Sequence, residues 1–412
     1  MTELPLTPAA LEGVRVLDLS RVLAGPWASQ NLGDLGADIV KVESLDGDDT
    51  RLWGPPFCEP EGGRPADAAY YTACNRNKRS VCIDFSRPEG AALVRELAAG
   101  ADIVIENFKV GGLAKYGLDY ASLRKVNPGI VYCSVTGFGQ SGPYASRAGY
   151  DFLIQGMAGL MSITGLPDGA PGGGPVKVGV AVCDLFTGMY ATVAILAALR
   201  HRERTGEGQH IDCSLFDTQV AMLANQASNW LVGGMNPGRM GNSHPNLVPY
   251  ATYPVSDGHV IIAVGTDRQF GKLCAVLGAP ELATDPRFAV PSARVANRGA
   301  LEDALRAKLA GFTRARIIAA LEAAGVPCGP INGVSEVFTE PHALARGVEV
   351  ALERPEGHEI RTVAFPAKLS ATPATYRIAP PVLGADTRAV LSGLLGRPEA
   401  EIERLVAEGV VA

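Results

Sequence analysis

The stretch Val-Arg-Val-Leu-Asp-Leu-Ser at residues 14–20, followed by Ala-Gly-Pro-Trp at residues 24–27, decides the fold class. The apolar, partly β-branched residues of the first segment predict a buried strand. The early proline of the second segment fits the first turn of a helix, and the helical pattern continues to about residue 35. A buried strand that leads within a few residues into a helix is the repeating unit of α/β proteins.

The same alternation continues along the first half of the chain. Further strands are predicted at residues 39–43, 80–85, 101–108, 129–138 and 209–214, and further helices at residues 87–99, 185–204 and 216–232. This β-α-β rhythm predicts a mostly parallel sheet with flanking helices.

The pattern changes near residue 233. Residues 233–242 form a glycine-rich loop, and two strands at 250–256 and 259–264 predict a hairpin across Asp257-Gly258. Helical patterns follow near 268–278 and 300–325. We therefore predict a small α+β domain at 226–330 and a large, discontinuous α/β domain made of 1–225 and 331–412.

Composition limits the classes of partner. The chain has 412 residues, a formal net charge of −6 and no Lys/Arg-rich tract, so we expect no nucleic-acid partner. The most apolar run, about 189–199, is too short to span a bilayer, and residues 1–8 lack the pattern of a signal peptide. The eight cysteines show neither Cys-x-x-Cys nor zinc spacing, so we expect no metal, no prosthetic group and reduced thiols in the cytoplasm.

Several catalytic motifs are absent from the sequence. It contains no Walker A sequence, no Gly-x-Gly-x-x-Gly after the first strand, no Gly-x-Ser-x-Gly and no His-Glu-x-x-His. Nucleotide hydrolysis, nicotinamide chemistry, serine hydrolysis and zinc catalysis are therefore disfavoured.

Asp184, in Val-Gly-Val-Ala-Val-Cys-Asp-Leu-Phe-Thr-Gly (178–188), is the main candidate for chemistry. It lies where a run of small and β-branched residues meets a long helical pattern, and ligands of open α/β sheets bind at such edges. Aspartate is also a preferred helix cap, so the local sequence leaves a structural and a catalytic interpretation open. Near a helix N-terminus the ionised form is favoured. Cys183 is an alternative nucleophile, but no histidine is near it in sequence.

Two polar segments precede or follow predicted strands. Asn-Arg-Asn-Lys-Arg-Ser (75–80) carries three cations and two amides, which suit either a phosphate or a solvated loop. Glu-Asn-Phe-Lys (106–109) ends a strand with an amide, an aromatic ring and a cation. This segment suits either a nucleotide or pantetheine contact or a place in the core.

Taken together, these segments resemble the class III coenzyme A transferases, the family of formyl-CoA transferase and carnitine-CoA transferase. The resemblance covers most of residues 10–220 and rests on the order and spacing of several stretches. They are residues 11–20, 24–26, 35–43, 75–84, 102–108, 178–188, 205–208, 325–331 and 381–384.

The resemblance implies a Rossmann-like domain that binds CoA, a small second domain and an interlocked homodimer. It makes a CoA thioester and a small carboxylic acid the substrates, and Asp184 the nucleophile. It further implies a covalent route through an aspartyl anhydride and an aspartyl-CoA thioester, which splits the transfer into near-balanced steps. A cover that excludes water would protect these intermediates, and the 233–242 loop is the candidate.

The resemblance also assigns binding residues. The residues expected to contact CoA are Val22, Leu23, Ala24, Ile83, Asp84, Phe85, Asn107, Phe108, Lys115 and Arg147. The candidate substrate-binding residues are Tyr150, Asp151, Arg239, Asn242 and His244, and Arg51 and Arg147 are further candidate cations for an acceptor carboxylate.

Some positions depart from formyl-CoA transferase. Leu23 stands where that enzyme has a glutamine of the catalytic site, and Ser44 stands where it has a basic residue. Arg-Met-Gly-Asn-Ser-His-Pro-Asn (239–246) occupies the region comparable to its loop of consecutive glycines. The Gly-Asn-x-His-x-x-x-Val-Pro-Tyr pattern at 241–250 looks more like the branch that uses succinyl-CoA with dicarboxylate-like acceptors.

Two other functions fit the same resemblance. α-Methylacyl-CoA racemases share the fold but carry a histidine where this chain has Tyr150, and a tyrosine with a reference pKa of about 10 is a poor base near neutrality. A CoA-ester-binding protein without turnover is the other alternative, which the presence of Asp184 disfavours.

Overall fold

The computed structural model describes residues 9–58, 66–355 and 357–412. Residues 1–8, on which the signal-peptide expectation rests, lie outside this part of the chain. The strands are β1 (Arg15–Asp18), β2 (Asp38–Glu43), β3 (Lys78–Cys82), β4 (Ile103–Glu106), β5 (Val131–Thr136), β6 (His210–Ser214), β7 (Tyr250–Val255), β8 (Gly258–Ala263), β9 (Cys328–Gly329), β10 (Glu349–Glu353) and β11 (Glu359–Val363).

The helices connect and flank these strands. They are α1 (Ala24–Asp34), α2 (Ala69–Thr72), α3 (Pro88–Ala99), α4 (Tyr120–Val126), α5 (Asp151–Met157), α6 (Leu160–Ile163), α7 (Val182–Thr205), α8 (Leu215–Met222), α9 (Ala224–Gly233), α10 (Asp267–Val276), α11 (Glu281–Thr284), α12 (Pro291–Ala296), α13 (Arg298–Leu309), α14 (Arg314–Ala324), α15 (Val334–Val337), α16 (Pro341–Arg346), α17 (Thr387–Leu395) and α18 (Glu399–Ala407). Two short 3-10 turns lie at Asp49–Leu52 and Ala114–Tyr116.

The first six strands form one sheet in the order β3-β2-β1-β4-β5-β6, and every neighbouring pair is parallel. The predicted α/β fold is therefore confirmed. The strand order reverses between β1 and β4, and the carboxyl ends of those two strands flank the crevice where doubly wound sheets bind ligands.

Apolar residues cover both faces of this sheet. Alternate residues of one strand point to opposite faces, so Val104 joins one core and Ile105 joins the other. The first core contains residues of α3, α17 and α18, whereas the second contains residues of α1 and α7. A sheet buried on both faces explains why its strands show continuous apolar runs in the sequence.

The helix α7 is longer than its most apolar run suggests. It has 24 residues and is long and apolar enough to cross a bilayer by length and composition alone. The sequence estimate based on residues 189–199 missed this length. One face of α7 is buried in the core, with Ala191, Ile195 and Ala198 almost fully covered.

The chain divides into two compact units. One comprises residues 1–160, 177–235 and 344–412, and the other comprises 161–176 and 236–343. The predicted boundaries at 225/226 and 330/331 differ from these. The helix α9 groups with the larger unit, and residues 161–176 and 331–343 group with the smaller one.

The smaller unit contains its own sheet and core. The strands β7 and β8 pair antiparallel, with Val255 opposite Gly258, and β9 adds on to β8. The hairpin predicted across Asp257-Gly258 is therefore confirmed. Buried residues of β7, β8, α10, α13 and α14 form a separate core in this unit.

One predicted helix is wrong. The sequence pattern predicts a continuous helix over 216–232, but the chain forms α8 and α9 with a break at Leu223. Ala224 has a φ of 44°, which an uninterrupted α-helix does not permit. The apolar periodicity continues across the break, so the pattern does not reveal it.

Candidate active site

Asp184 lies in the first turn of α7, but it is not the residue that caps this helix. The N-cap residue is Ala181, which makes no side-chain cap, and Asp184 is the third residue of the helix. The backbone N–H of Cys183 donates to Asp151 Oδ1 instead, at 2.7 Å. The structural interpretation of Asp184 as a cap is therefore wrong, because Asp151 caps this helix from another segment.

Asp151, the first residue of α5, is fixed from two sides. Besides the Cys183 N–H, it accepts a hydrogen bond from Gln155 Nε2 at 2.6 Å. Gln155 is fully buried and its Oε1 accepts the Val178 N–H at 2.9 Å. The segment that leads into α7 is thus tied to α5, and the carboxylates of Asp151 and Asp184 share one electrostatic environment.

The Asp184 carboxylate has no hydrogen bond or ion pair with any described residue. Burial raises the pKa of Asp184 to about 7, and the negative charge of Asp151 contributes to the same shift. The sequence expectation that a helix N-terminus keeps Asp184 ionised is therefore outweighed by desolvation and by a like charge. Such a perturbed, unpaired carboxylate is typical of functional sites.

Tyr70 belongs to this site, although no sequence motif points to it. Burial raises the pKa of its phenol to about 12, and the charges of Asp184 and Asp151 act in the same direction. The ring of Tyr70 meets Trp53 edge to face at 5.3 Å between centroids. Tyr70 lies in the four-residue helix α2, whose sequence Ala-Tyr-Tyr-Thr carries no catalytic signal. A phenol that stays protonated next to Asp184 can donate a hydrogen bond to an oxyanion.

Cys183 is buried and engaged, which disfavours it as a nucleophile. Its thiol donates to Gln219 Oε1 at 3.0 Å. Burial, followed by the charge of Asp151, raises the pKa of the Cys183 thiol well above its usual range. The thiolate that nucleophilic attack requires is therefore scarce at neutral pH.

The residues expected to contact CoA flank the switch point of the sheet. Val22 and Leu23 form the turn between β1 and α1, Leu23 is the N-cap of α1, and Ala24 begins the helix. Asn107 and Phe108 follow β4 on the other side of the crevice. The amide of Asn107 binds the backbone of Arg21 with both its oxygen and its nitrogen.

A basic cleft lies beside these segments. It has a volume of about 470 Å³, and its lining includes Ser86, Arg87, Arg95, Lys115 and Tyr116. The residues that line it include three cations and no carboxylate, so it suits an anionic group such as a phosphate.

Aromatic rings and polar contacts border this cleft. Phe85 meets Phe108 and Tyr116 edge to face, with centroids 5.7 Å and 5.5 Å apart. Ile83 is fully buried, and the Asp84 carboxylate accepts hydrogen bonds from Ser86. Among the predicted CoA contacts Ile83, Asp84 and Phe85, it is therefore Phe85 whose side chain belongs to the aromatic cluster.

Arg147 and Tyr150 lie in the segment between β5 and α5. The guanidinium of Arg147 stacks over Tyr144 and Phe138, at 4.5 Å and 5.3 Å from the ring centroids. Tyr150 is the N-cap of α5 and 68% of its surface is exposed. Both side chains are accessible to a ligand.

Arg239, Asn242 and His244 belong to the smaller unit. Arg239 forms an ion pair with Asp168 and donates to Leu166 O. Asn242 Nδ2 donates to Thr252 Oγ1 at 2.9 Å, and the ring of His244 lies 5.1 Å from that of Tyr250. These contacts order the loop around residue 241, whose N–H donates to Gly165 O.

The basic segment 75–80 is not a phosphate site. Arg76 forms a two-pronged ion pair with Asp34, and the fully buried Lys78 pairs with Asp18 at 3.2 Å. These cations are therefore committed to buried carboxylates, and both alternatives for this segment, a phosphate site and a solvated loop, are wrong for them. Their partners are about 40–60 residues away in the chain, so the sequence pattern did not reveal the pairing.

Arg51 is likewise excluded as an acceptor-binding residue. Its five N–H groups donate to both carboxylate oxygens of Glu43, to Asp67, to Tyr71 and to the Pro381 carbonyl. It has no donor left for a ligand. Among the residues that the structure describes, no group of three His, Cys, Asp or Glu side chains is placed to hold a metal ion.

Comparison with known proteins places this architecture in a family. The family model of CoA-transferase family III matches residues 11–387. The chain is 52% identical over 395 residues to succinate–glutarate CoA-transferase of Agrobacterium fabrum, covering 96% of the chain and 98% of that relative. It is 42% identical over 402 residues to succinyl-CoA:glutarate CoA-transferase of Mus musculus, covering 97% and 90%. Among solved structures, a CaiB/BaiF family protein from Brucella suis matches with a TM-score of 0.83 and 52% identity, covering 94% of this chain and 100% of that chain.

Proposed function

The chain belongs to CoA-transferase family III, and on this premise we propose that it transfers coenzyme A from succinyl-CoA to a dicarboxylic acid such as glutarate. The relatives from Agrobacterium fabrum and Mus musculus are named as succinate–glutarate and succinyl-CoA:glutarate CoA-transferases, which supports this choice of donor and acceptor. The single observation that carries the proposal is the Asp184 carboxylate, which is half buried and unpaired among the described residues, with a pKa raised to about 7.

The proposed reaction begins with attack by Asp184 on the thioester carbonyl of succinyl-CoA. The C–S bond breaks, CoA thiolate leaves, and a mixed anhydride joins Asp184 to the succinyl group. The thiolate then attacks the aspartyl carbonyl, which releases succinate and leaves an aspartyl-CoA thioester. The acceptor carboxylate attacks that thioester, again releases CoA thiolate and forms a second mixed anhydride with Asp184. Attack of the thiolate on the acceptor's carbonyl gives the new acyl-CoA and restores the Asp184 carboxylate.

The protonation state of Asp184 controls the first step, because only the carboxylate is a nucleophile. A pKa of about 7 leaves a useful ionised fraction at neutral pH while making the carboxylate more basic than an exposed aspartate. Each step builds a negative charge on a carbonyl oxygen. The protonated phenol of Tyr70 is a candidate donor for that oxygen.

CoA binding is proposed along the switch point and the basic cleft. The turn at Val22–Ala24 and the residues Asn107 and Phe108 flank the crevice, and Lys115 faces the cleft with Arg87 and Arg95. The cleft suits the phosphates of CoA, and the rings of Phe85, Phe108 and Tyr116 suit its base. For the acceptor we propose Tyr150 and Asp151, since Asp151 accepts the Cys183 N–H beside Asp184.

The protein is proposed to act as a homodimer. Phe186, Met189, Tyr190 and Val193 lie on one face of α7 at helical spacing, and each is between 41% and 59% exposed. An apolar face of this kind is typical of an interface. Light scattering after size exclusion is expected to give twice the chain mass, and Val193→Glu is expected to lower it. A monomeric wild type would remove the dimer from the proposal.

The experiment that tests the function combines transfer with trapping. The wild type is incubated with succinyl-CoA and glutarate, and glutaryl-CoA is measured. In parallel, hydroxylamine or borohydride is added after succinyl-CoA, and the adduct is mapped by mass spectrometry. We expect glutaryl-CoA formation, modification at Asp184 and a loss of at least about 10³-fold in Asp184→Ala.

The same preparation separates the alternatives. Exchange of deuterium at C2 of a 2-methylacyl-CoA in D2O without any acceptor would establish racemase chemistry and contradict the transferase. Tight CoA binding with no glutaryl-CoA and no modified Asp184 would establish a binding protein. Normal glutaryl-CoA formation by Asp184→Ala would contradict the covalent mechanism.

A further inference from the structure

Side chains hold the three residues Ser20, Arg21 and Val22 in the turn between β1 and α1. Across Ser20, Arg21 and Val22, each backbone N–H and each carbonyl forms a hydrogen bond with a side chain. The bonds are Ser20 N–H to Asp18, Ser20 O from Lys41, Arg21 N–H to Asn107, Arg21 O from Asn107, Val22 N–H to Asp48 and Val22 O from Cys74. A turn with no free backbone group is held in one conformation.

The conformation that is held is a strained one. Val22 has a φ of 70°, in the left-handed region that β-branched residues avoid. The other described non-glycine residues with positive φ are Asn77 and Ala224, and neither is β-branched. Strain of this kind persists where surrounding contacts enforce it, and it concentrates at functional sites.

The contacts that enforce it are rigid and buried. Asp48 Oδ2 lies 3.2 Å from Val22 N and 3.0 Å from Lys41 Nζ. Lys41 is fully buried, and its Nζ also donates to Ser20 O at 2.8 Å. Cys74 is fully buried and its Sγ lies 3.7 Å from Val22 O. Buried side chains therefore form hydrogen bonds with both the N–H and the carbonyl of Val22.

The turn is linked to α7 through the first residues of α1. A Cβ atom at Gly188 would lie 2.7 Å from the carbonyl oxygen of Ala24 and 3.0 Å from Cβ of Trp27. The start of α1 therefore touches α7 one helical turn beyond Asp184. This close contact fixes the start of α1 against α7. A shift of the turn at Val22 therefore changes the position of the turn relative to Asp184.

We propose that Asp48, Cys74 and Lys41 are positioning residues that hold Val22 in its strained conformation and thereby place the CoA-binding turn relative to Asp184. This inference rests on the proposed function, since it assigns the turn to the CoA thioester. None of the three side chains contacts the reacting atoms in this role. The thioester carbonyl must lie within attack distance of Asp184 in the first step, and the CoA thiolate must then reach the aspartyl carbonyl, so a small displacement of the turn is costly in rate.

The test is a double-mutant cycle between Asp48→Asn and Val22→Gly. In Asp48→Asn an amide nitrogen replaces the oxygen that both Lys41 and Val22 contact. We expect kcat/KM for succinyl-CoA to fall about tenfold or more, through KM for succinyl-CoA rather than KM for glutarate. Glycine adopts a φ of 70° without strain, so the turn of Val22→Gly no longer depends on Asp48. Adding Asp48→Asn to Val22→Gly is therefore expected to lower kcat/KM further by less than about threefold, whatever Val22→Gly loses through its own contact with CoA.

Three further variants complete the test. Asp67→Asn disturbs the neighbouring buried pairs with Arg51 and Arg354 but touches no part of the turn, so Val22→Gly is expected not to rescue it. Cys74→Ala removes the hydrogen bond to the Val22 carbonyl, whereas Cys74→Ser retains a donor. We expect the alanine variant to lose affinity for CoA and the serine variant to keep it, which also covers the case in which Asp48→Asn fails to fold.

The outcomes are separated by measuring CoA binding calorimetrically alongside transfer. If the wild type transfers CoA and Val22→Gly does not reduce the effect of Asp48→Asn, the positioning role of Asp48 is overturned and the proposed function stands. If the wild type transfers no CoA, the proposed function fails. Rescue of the CoA affinity of Asp48→Asn by Val22→Gly then still tests whether Asp48 positions the turn. Equal rescue of Asp67→Asn would show a general effect on stability and overturn the inference.

Discussion

Buried carboxylates occur in two regions of the larger unit, and their surroundings are opposite. Near the carboxyl ends of β1 and β2, Glu43 lies against Arg51 and Asp48 lies against Lys41. Burial alone would raise the pKa of Glu43, but its hydrogen bond and ion pair with Arg51 outweigh burial and lower it. At the start of α7, Asp184 faces Asp151 without a cation, and burial raises its pKa.

The comparison shows that burial does not make a carboxylate reactive. Both regions desolvate their acids, but only the first supplies a positive partner for each. The paired acids stabilise the fold, whereas the unpaired acid is available for chemistry. Four variants, each with its own measurement, test this division.

Breaking an ion pair in the first region is expected to have the largest effect on stability. Arg51→Met leaves Glu43 and Asp67 without their shared cation, and removing one partner of a buried pair costs about 3–5 kcal/mol. Urea unfolding at fixed protein concentration measures the loss. Arg200→Met, which breaks an exposed pair with Glu203, is the control and is expected to cost less than about 1 kcal/mol. A comparable loss in both variants would contradict the comparison.

Neutralising the unpaired acid is expected to do the reverse. The folded-state pKa of Asp184, about 7, is above its unfolded value of 3.8, so its contribution to stability is complete below the unfolded pKa and is lost as pH rises through 7. Asp184→Asn does not titrate. It is therefore expected to be more stable than the wild type by on the order of 2 kcal/mol at pH 8, and this difference is expected to shrink as pH falls from 7 towards 3.8. Lower stability of the variant at pH 8 would show that Asp184 has a stabilising partner.

Removing the like charge is expected to move the pH dependence of the reaction. In the wild type, kcat/KM for succinyl-CoA is expected to rise with pH around a midpoint near 7, because the carboxylate is the nucleophile. Asp151→Asn takes away the negative charge that helps to raise this pKa, so the midpoint is expected to fall by about half a unit to one unit. Asp217→Asn, an exposed residue in the first turn of α8, serves as the control. An unchanged midpoint in Asp151→Asn would assign the whole shift to burial.

The smallest effect is expected at the residue that lies between the two regions. The pKa of Tyr70 is raised by burial and then by charges from both, including Asp184 and Asp48. Tyr70→Phe keeps the ring against Trp53 but removes the hydroxyl donor. We expect kcat to fall about fivefold to tenfold, with KM for succinyl-CoA little changed. A larger loss in KM than in kcat would instead place Tyr70 in CoA binding.

The sequence was sufficient for the large unit's architecture because its signals are local. The strands β1, β2, β4 and β5 are short runs rich in apolar residues, which sequence patterns reveal directly. The hairpin at Asp257-Gly258 was equally readable, since two turn residues determine it. The break between α8 and α9 was missed because the backbone turns at Ala224, a residue with no breaker character.

The site was only partly predictable because its electrostatics are not local. Asp184 was selected from its neighbours in the sequence, but its raised pKa depends on burial and on Asp151, 33 residues earlier. Arg76 and Lys78 read as exposed cations because their carboxylate partners lie in distant segments. Tyr70 had no local signal at all. Pairing and desolvation appear only when the chain is folded.

The division of the chain also dictates when the larger unit is complete during synthesis. Residues of α17 and α18, together with Val410 and Val411, belong to the same apolar core as β1 and β3, and the Val410 carbonyl accepts the Asp84 N–H. A nascent chain that ends after residue 343 has the whole smaller unit but lacks this part of the core. We therefore expect a released chain that ends at residue 343 to hold a protease-resistant smaller unit, while the parts of the larger unit before residue 236 remain sensitive to protease.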